Sequence, residues 1–328
     1  MATILVTGGA GYVGAHCCLA LSRAGHKPVV YDNLSNGHRG FAKWGPFEQG
    51  DIRDKARLAE VCATHRPDAV LHCAASIEVG ESVKHPDRFY ENNVVGALTL
   101  FDVMREQGVG PFVFSSTCAT YGEPLALPMD ETHRQQPVSP YGWTKLMVER
   151  ISRDVAAAYG TKFAHLRYFN AAGAEPEEGI GERHEPETHA IPLALFTLLG
   201  RRDSFKVFGA DYGTRDGSCL RDYIHVLDLA DAHVRAIERL LSGGESLAAN
   251  LGTGTGVTVL ELLAAIAKVT GKHVAAASAP RREGDSPALL ADNALAKREL
   301  GWTPERDIHT IIADAWKWHS DVEAKIFS

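Results

Sequence analysis

A short apolar run, Ala2 to Thr7, breaks into Gly8-Gly9-Ala10-Gly11-Tyr12-Val13-Gly14 and is followed at once by a stretch from Ala15 to Ala24 with helical apolar spacing. Strand, glycine turn and helix in that order leave few folds open. Gly8, Gly11 and Gly14 stand in the spacing GxxGxxG. Such glycines permit a tight turn, let a pyrophosphate approach the backbone, and seat the helix so that its first amides, those of Tyr12 and Val13 included, face the anion. A glycine triplet alone is a weak signal. Here a second strand, Pro28-Val29-Val30-Tyr31, ends in Asp32 at the expected distance of about 20 residues past the glycines. A carboxylate there accepts hydrogen bonds from the adenosine ribose and repels a 2′-phosphate, so NAD is expected rather than NADP. Asn33 and Asn36 are expected to help hold the same ribose, although asparagines also form turns.

The alternation continues through the first half. Phe47 to Ile52 reads as a short strand whose Asp51 and Ile52 would flank an adenine, Lys55 to His65 as a helix, and Asp68 to His72 as a fourth strand. The small residues after it, Cys73-Ala74-Ala75-Ser76, would let a dinucleotide pass close to the backbone. A helix is expected from about Pro86 to Gln107, carrying Asn92 and Asn93, and then a strand from Phe112 to Ser116. Strands alternating with helices make this an α/β chain with a doubly wound parallel sheet, whose ligands lie beyond the carboxyl ends of the strands. Ser115-Ser116-Thr117 lies at such an end. The next helix opens with Ser139-Pro140-Tyr141-Gly142-Trp143-Thr144-Lys145, which puts Tyr141 and Lys145 on one face. An ammonium beside the phenol favours its ionised form and makes Tyr141 a base near neutral pH.

With 328 residues, 45% of them apolar, the chain has material for a large core. A formal net charge of -7 without a long basic run argues against nucleic-acid or membrane-surface binding and for small-molecule chemistry. The six cysteines are dispersed and form no CxxC, so neither a zinc site nor a disulfide framework is indicated. There is no charged leader and no apolar run of spanning length, so a cytoplasmic protein is expected.

The second half is less regular. Phe169-Asn170 closes another strand, and Ala171 to Thr188, rich in Gly, Pro, Glu and His, is expected to be a solvated surface loop and the boundary between two units: an NAD-binding domain over 1–170, rejoined near 220–260, and a mainly substrate-binding domain over 171–328. His184 and His189 among its acids match no usual metal template, and no metal is expected. Helices are expected at Ile191–Leu199, Val226–Leu241 and Leu260–Thr270, and strands at Lys206-Val207-Phe208 and Ala248–Leu251. Gly252-Thr253-Gly254-Thr255-Gly256 reads as a tight turn into a packed helix rather than a second phosphate loop, since no acidic residue ends a strand at the required distance.

The glycine triplet, Asp32, Ser115-Ser116-Thr117 and Tyr141-x-x-x-Lys145 together resemble the extended short-chain dehydrogenase/reductase family. Within it the chain is similar to the nucleotide-sugar 4-epimerases over nearly its whole length, through Val79-Gly80-Glu81-Ser82, Leu166 to Asn170, Arg221-Asp222-Tyr223-Ile224-His225-Val226 and Ala279 to Asp285. The resemblance implies a Rossmann-type NAD-binding domain with a smaller α/β substrate-binding domain, a UDP-sugar substrate, and a homodimer formed through the helices near 87–107 and 141–158. It implies Tyr141 as base, Lys145 and Thr117 as its partners, and Asn92, Ser115 and Tyr168 near the cofactor. It further implies a nucleotide site from Asn170, His189, Val207, Phe208, Tyr223 and Asp285, with Arg221 and Arg282 on the pyrophosphate. Leu289 falls where the enterobacterial type carries a tyrosine that closes the sugar pocket and where members accepting N-acetyl sugars carry a smaller residue. Ile77 replaces a lysine of some members and Thr117 a more usual serine. Dehydratases and decarboxylases of the family continue after this hydroxyl with an acid, whereas Cys118 and Ala119 follow here. Pentose and N-acetylhexosamine 4-epimerases remain open alternatives, and a cofactor-sensing protein without turnover would be expected to lack Tyr141 or Lys145.

Overall fold

In the computed structural model, which describes residues 1–282 and 286–327, seven strands form one parallel sheet. They are β1 (Thr3–Thr7), β2 (Lys27–Asp32), β3 (Phe47–Gln49), β4 (Ala69–His72), β5 (Phe112–Thr117), β6 (Phe163–Tyr168) and β7 (Leu247–Leu251), in the order β7-β6-β5-β4-β1-β2-β3. The principal helices are α1 (Tyr12–Arg23), α2 (Lys55–His65), α3 (Gly96–Gln107), α4 (Pro140–Tyr159), α5 (Ala190–Leu198), α6 (Val226–Leu241), α7 (Val259–Thr270) and α8 (Ile308–Lys317). Winding reverses between the neighbours β1 and β4, so a crevice opens beyond their carboxyl ends.

Both faces of the sheet are covered, which is why the strands read as apolar runs without polar alternation. Ile4 and Val6 pack with Cys17, Cys18 and Leu21 of α1 and Leu229 and Ile237 of α6. Leu5 points the other way, into Leu58 and Val61 of α2, Leu100 and Val103 of α3, and Val148 of α4. A separate core joins Leu195 of α5, the strand Phe205–Phe208, Ile266 of α7 and Ile311 and Ile312 of α8. All six cysteines are free thiols.

Three local expectations are corrected. The strand expected to reach Ile52 stops at Gln49, because Gly50 lies against the Tyr31 ring and Asp51 turns its carboxylate onto the Arg53 amide at 2.9 Å. The helix expected from Pro86 to Gln107 comes in pieces: Pro86–Phe89, a π-helical turn over Tyr90–Val95 that carries Asn92 and Asn93, and then α3. Such wide turns re-aim side chains and recur at functional sites. The segment 171–188 is not a solvated loop. Asn170–Ala172 pairs with Tyr223–His225, Ala174–Glu175 pairs with Ile180–Gly181, and Ala174, Ile180 and Glu182 are buried. Ile180 and Trp318 close over Ala15 and Leu19 of α1, Glu182, His184 and Glu187 pair with one another and with His189, and Glu175 and Glu178 pair with Arg23, so the segment's polarity does not by itself mean exposure.

The second glycine cluster is a turn organised by a protein anion. The buried Asp222 carboxylate accepts from the amides of Thr253 at 2.7 Å, Gly254 at 3.0 Å and Ala291 at 3.1 Å. Those donors are thus committed, and Thr258 with Glu261 forms the capping box that starts α7.

Candidate active site

The glycine turn fits a dinucleotide by exclusion of side-chain volume. Gly8 sits at φ +71°, where a Cβ would stand 2.6 Å from Ala74 N, and a Cβ on Gly14 would stand 2.1 Å from Gly8 O. The turn after β1 therefore meets Cys73-Ala74-Ala75 after β4 through backbone. Gly11 caps α1 with no side-chain bond and no acidic residue in the first turn, so no carboxylate of that turn competes with an anion there. Asp32, buried at the end of β2, accepts from Ala10 N at 3.1 Å and Leu34 N at 2.8 Å. Burial pushes its carboxyl up, and these two amides oppose that.

Around Asp32 the rim is polar and interlinked. Asn33 donates to Asp51 Oδ2 at 3.0 Å and Asn36 to Glu78 Oε1 at 3.5 Å, while Arg53 holds the Asp51 carboxyl well below the usual carboxylate range. Two expected contacts sit differently. The Tyr12 hydroxyl donates to Gly173 O at 2.8 Å, which leaves its backbone, with that of Val13, at the turn. Ile52 is sealed in the core, where Gly96 leaves it room.

At the end of β5 the Ser115 hydroxyl lies 2.8 Å from His233 Nε2 and 3.3 Å from Cys73 Sγ. His233 Nδ1 pairs with Leu229 O at 2.8 Å and burial lowers the ring to about 4, so the imidazole is neutral, Nδ1 donates to that carbonyl and Ser115 donates to Nε2. Tyr168 flanks this pair with its phenol pushed up by burial.

The start of α4 is fixed by Ser139, which accepts from Gly142 N at 3.2 Å, and by Pro140 in the first turn. Gly142 lets the helix press on Ala119, where a Cβ would stand 2.6 Å from the carbonyl oxygen. Tyr141 and Lys145 are both buried on that face. Lys145 Nζ donates to Ser115 O at 2.8 Å and lies 4.7 Å from the Phe114 ring centre and 5.9 Å from that of Tyr141. Thr117 lies near the Tyr141 phenol, which it draws down against burial, and accepts from Ala119 N at 3.1 Å.

The charge balance corrects one expectation. Burial pushes the Tyr141 phenol far above its ordinary value; Thr117 opposes this, and Cys118 and Glu78 add to it. Lys145 does not offset the burial, because its ammonium is directed at Ser115 O and burial takes Lys145 itself down to about 8, with Cys73 and Glu149 opposing.

Residues that the sequence did not single out hold this face in place. Asn93 bridges both sides of the crevice: it accepts from Ser76 N at 2.8 Å and donates to Ser76 O at 3.0 Å and to Thr144 Oγ1 at 3.0 Å, and Thr144 donates to Tyr141 O at 2.7 Å. Asn92 donates to Asn93 Oδ1 at 3.0 Å, one step removed from the crevice. Below them Glu149 accepts from Ser116 Oγ at 2.7 Å and from Arg167 at 2.9 and 2.6 Å.

Beyond the sheet edge a cleft of about 250 Å³ is lined by Asn170, His189, Phe208, Arg221, Tyr223 and Arg282 among others. Val207 is buried behind it, and the Arg282 guanidinium lies 3.9 Å over the Phe208 ring. His189 bonds Glu182 and Glu187, and Leu289 packs against Cys118, Tyr121 and Phe169, beside Thr117. Asp285 lies outside the described residues. A wider hollow of about 490 Å³ over Leu263, Lys268 and His273 holds none of these groups.

A doubly wound sheet with an anion-accepting glycine turn, an acid at the end of β2, and a phenol, an ammonium and a hydroxyl at the end of β5 defines a dinucleotide-dependent enzyme. The chain belongs to the NAD dependent epimerase/dehydratase family, which matches residues 4–252. It is 61% identical to the UDP-glucose 4-epimerase of Rhizobium leguminosarum bv. trifolii over 318 residues, 97% of each chain. It is similar to the crystal structure of UDP-glucose 4-epimerase from Brucella ovis in complex with NAD, with a TM-score of 0.94 and 49% identity over 96% of this chain and 98% of that one. It is also similar to the Stenotrophomonas maltophila UDP-glucose-4-epimerase with bound NAD and formylated UDP-arabinopyranose, with a TM-score of 0.96 and 40% identity over 99% and 100% of the two chains.

Proposed function

We propose that this protein is an NAD-dependent epimerase that inverts C4 of a UDP-hexose, interconverting UDP-galactose and UDP-glucose through a transient 4-keto sugar. The observation that carries the reading is the buried Tyr141 brought near Thr117 at the end of β5, with Cys118-Ala119 following where an eliminating enzyme would carry an acid. The glycine turn, Asp32 and the Ser115–Lys145 edge hold NAD, which supplies a reversible acceptor for the C4 hydrogen and a positive charge. Tyr141 Oη takes the C4 hydroxyl proton and returns it after the ring has turned over. Thr117 Oγ1 bonds the same sugar oxygen and steadies its charge. Lys145, whose ammonium is directed at Ser115 O, would hold the cofactor ribose. Asn170, His189, Val207, Phe208 and Tyr223 bind the nucleoside side, and Arg221 and Arg282 the pyrophosphate, for which forked, permanently charged donors are suited.

A pentose substrate is the second reading, favoured by the UDP-arabinopyranose derivative bound to the Stenotrophomonas relative. We further infer a cytoplasmic homodimer. Its support is a row of exposed apolar side chains on the neighbouring helices α3 and α4 and the turn before α3: Val95 at 48%, Leu98 at 47%, Trp143 at 40% and Met147 at 38%. No helix among the described residues is long and apolar enough to cross a membrane. Purified protein is incubated with UDP-galactose, UDP-xylose and UDP-N-acetylglucosamine without added NAD, and the products are separated. UDP-glucose from UDP-galactose is the expected result, turnover of the pentose alone would transfer the assignment to the second reading, and no epimer from any of them would reject both. A monomer by light scattering at micromolar concentration would reject the dimer.

A further inference from the structure

The segment expected to be solvated and metal-free brings Glu182, His184, Glu187 and His189 together, with one ligating atom of each within 4.8 Å of the others. His189 Nδ1 is 2.8 Å from Glu182 Oε1 and 2.9 Å from Glu187 Oε1, and His184 Nδ1 is 3.4 Å from Glu182 Oε1 and 3.5 Å from Glu187 Oε2. Ligand atoms around a tetrahedral ion at zinc–ligand distances stand about 3.3 Å apart. The four separations bracket that value.

A second observation points to a ligand. His184 Nδ1 and Glu187 Oε2 are sealed from solvent, face one another, and have no hydrogen-bond partner. Buried polar atoms are nearly always satisfied, so two unsatisfied atoms of opposite character side by side call for a group between them. The ion pair they form at 3.5 Å leaves both without a hydrogen bond. The scaffold behind them is already fixed: Glu187 Oε1 accepts from the amides of Thr188 and His189 at 2.8 Å each, and Trp318 Nε1 donates to Glu182 O at 2.9 Å. Outer bonds of this kind orient metal ligands.

We propose that Glu182, His184, Glu187 and His189 hold one divalent transition-metal ion of the zinc class. Two imidazoles with two carboxylates suit such an ion, whereas magnesium and calcium prefer oxygen alone. The site ties three parts of the molecule together. His184 meets the Tyr12 ring of the glycine turn at 6.2 Å, Glu182 and His189 line the nucleotide cleft, and His189 caps α5. An ion there would lock the segment 171–188 between cofactor turn and cleft.

The test uses the NAD-loaded protein, stripped with a chelator and then titrated with Zn(II), Co(II) or Mg(II). After gel filtration, elemental analysis is expected to find one zinc per chain, the cobalt form to show the intense d–d bands of a tetrahedral site that zinc displaces, and magnesium not to be retained. The double variant His184→Ala/Glu187→Gln should bind zinc at least about tenfold more weakly, since even outer-sphere changes at metal sites cost about that much. Absence of tetrahedral cobalt bands in the wild type, equal retention of magnesium, or unchanged zinc affinity in the folded variant would each overturn the proposal. Should the variant not fold, the wild-type cobalt spectrum decides alone.

Discussion

Replacing Glu149 by Gln should destabilise the protein by roughly 3 kcal/mol at pH 7, a value that two separate considerations reach. Burial alone would raise this carboxyl, yet Arg167, helped by His165 and Ser116, holds it at about 2 against an ordinary 4.5. At about 1.4 kcal/mol per pH unit, that displacement is roughly 3 kcal/mol. The folded value lies below the unfolded one, so the stabilisation is complete above about pH 4.5 and is lost as pH falls toward 2. Independently, removing one member of a buried ion pair typically costs about 3–5 kcal/mol, because the other charge is stranded. Arg167 would be stranded here, being only 2% exposed. Urea unfolding followed by circular dichroism should show the loss, and the gap between wild type and variant should close between pH 4.5 and 2. A difference under about 1 kcal/mol at pH 7, or one that does not change with pH, would refute the reasoning. The variant should also turn over more slowly, as Ser116, between Ser115 and Thr117, loses the full charge that anchors its hydroxyl.

Tyr141→Phe should fold and retain NAD while its turnover falls at least about 100-fold, the usual range for loss of a general base; single-turnover product analysis would expose any near-normal rate. Asp32→Ala should weaken NAD about tenfold while improving NADP relative to it, since charged hydrogen bonds to the ribose and repulsion of the 2′-phosphate vanish together; an unchanged cofactor ratio in competition binding would locate the ribose elsewhere. Leu289→Tyr should remove a slower activity on UDP-N-acetyl sugars and spare UDP-galactose, because a ring beside Cys118 fills space that an acetamido group needs; absence of N-acetyl turnover in the wild type, or equal loss of both activities, would show that Leu289 is not the gate.

What could be read from the sequence was what short stretches determine by themselves. Gly14 is needed by sterics within one turn and Gly8 by its own left-handed backbone, Asp32 follows its own strand, and Tyr141 with Lys145 follows helical spacing. Glu149, Arg167 and His233 could not be found this way, since their partners lie far off in the chain: Ser115 meets His233 only because α6 returns across the sheet. Asn93 was noticed merely as part of a helix, and its aim depends on the π-helical turn, which apolar periodicity does not reveal. The segment 171–188 was misread because polarity was taken for exposure. Glu182, His184 and Glu187 are partners for one another and for His189 beside Trp318, and the sequence carries no sign of that closure.

The proposed reaction demands unequal grip on the two ends of one substrate, and the chain offers chemistry of two kinds. At one end stand Arg221, Arg282 and Asn170, the first two permanently charged. Hydrogen bonds to charged groups contribute about 1.5–3 kcal/mol each, so a pyrophosphate can stay bound while the sugar is released. At the other end Thr117 and Tyr141 offer hydroxyls beside Cys118 and Leu289. A neutral hydrogen bond such as that of Thr117 contributes about 0.5–1.5 kcal/mol, which is small enough to be broken and remade on the opposite face within a turnover. A charged residue in place of Cys118 or Leu289 would raise that cost and bind one epimer at the expense of turning it, so the neutral lining there is part of the mechanism.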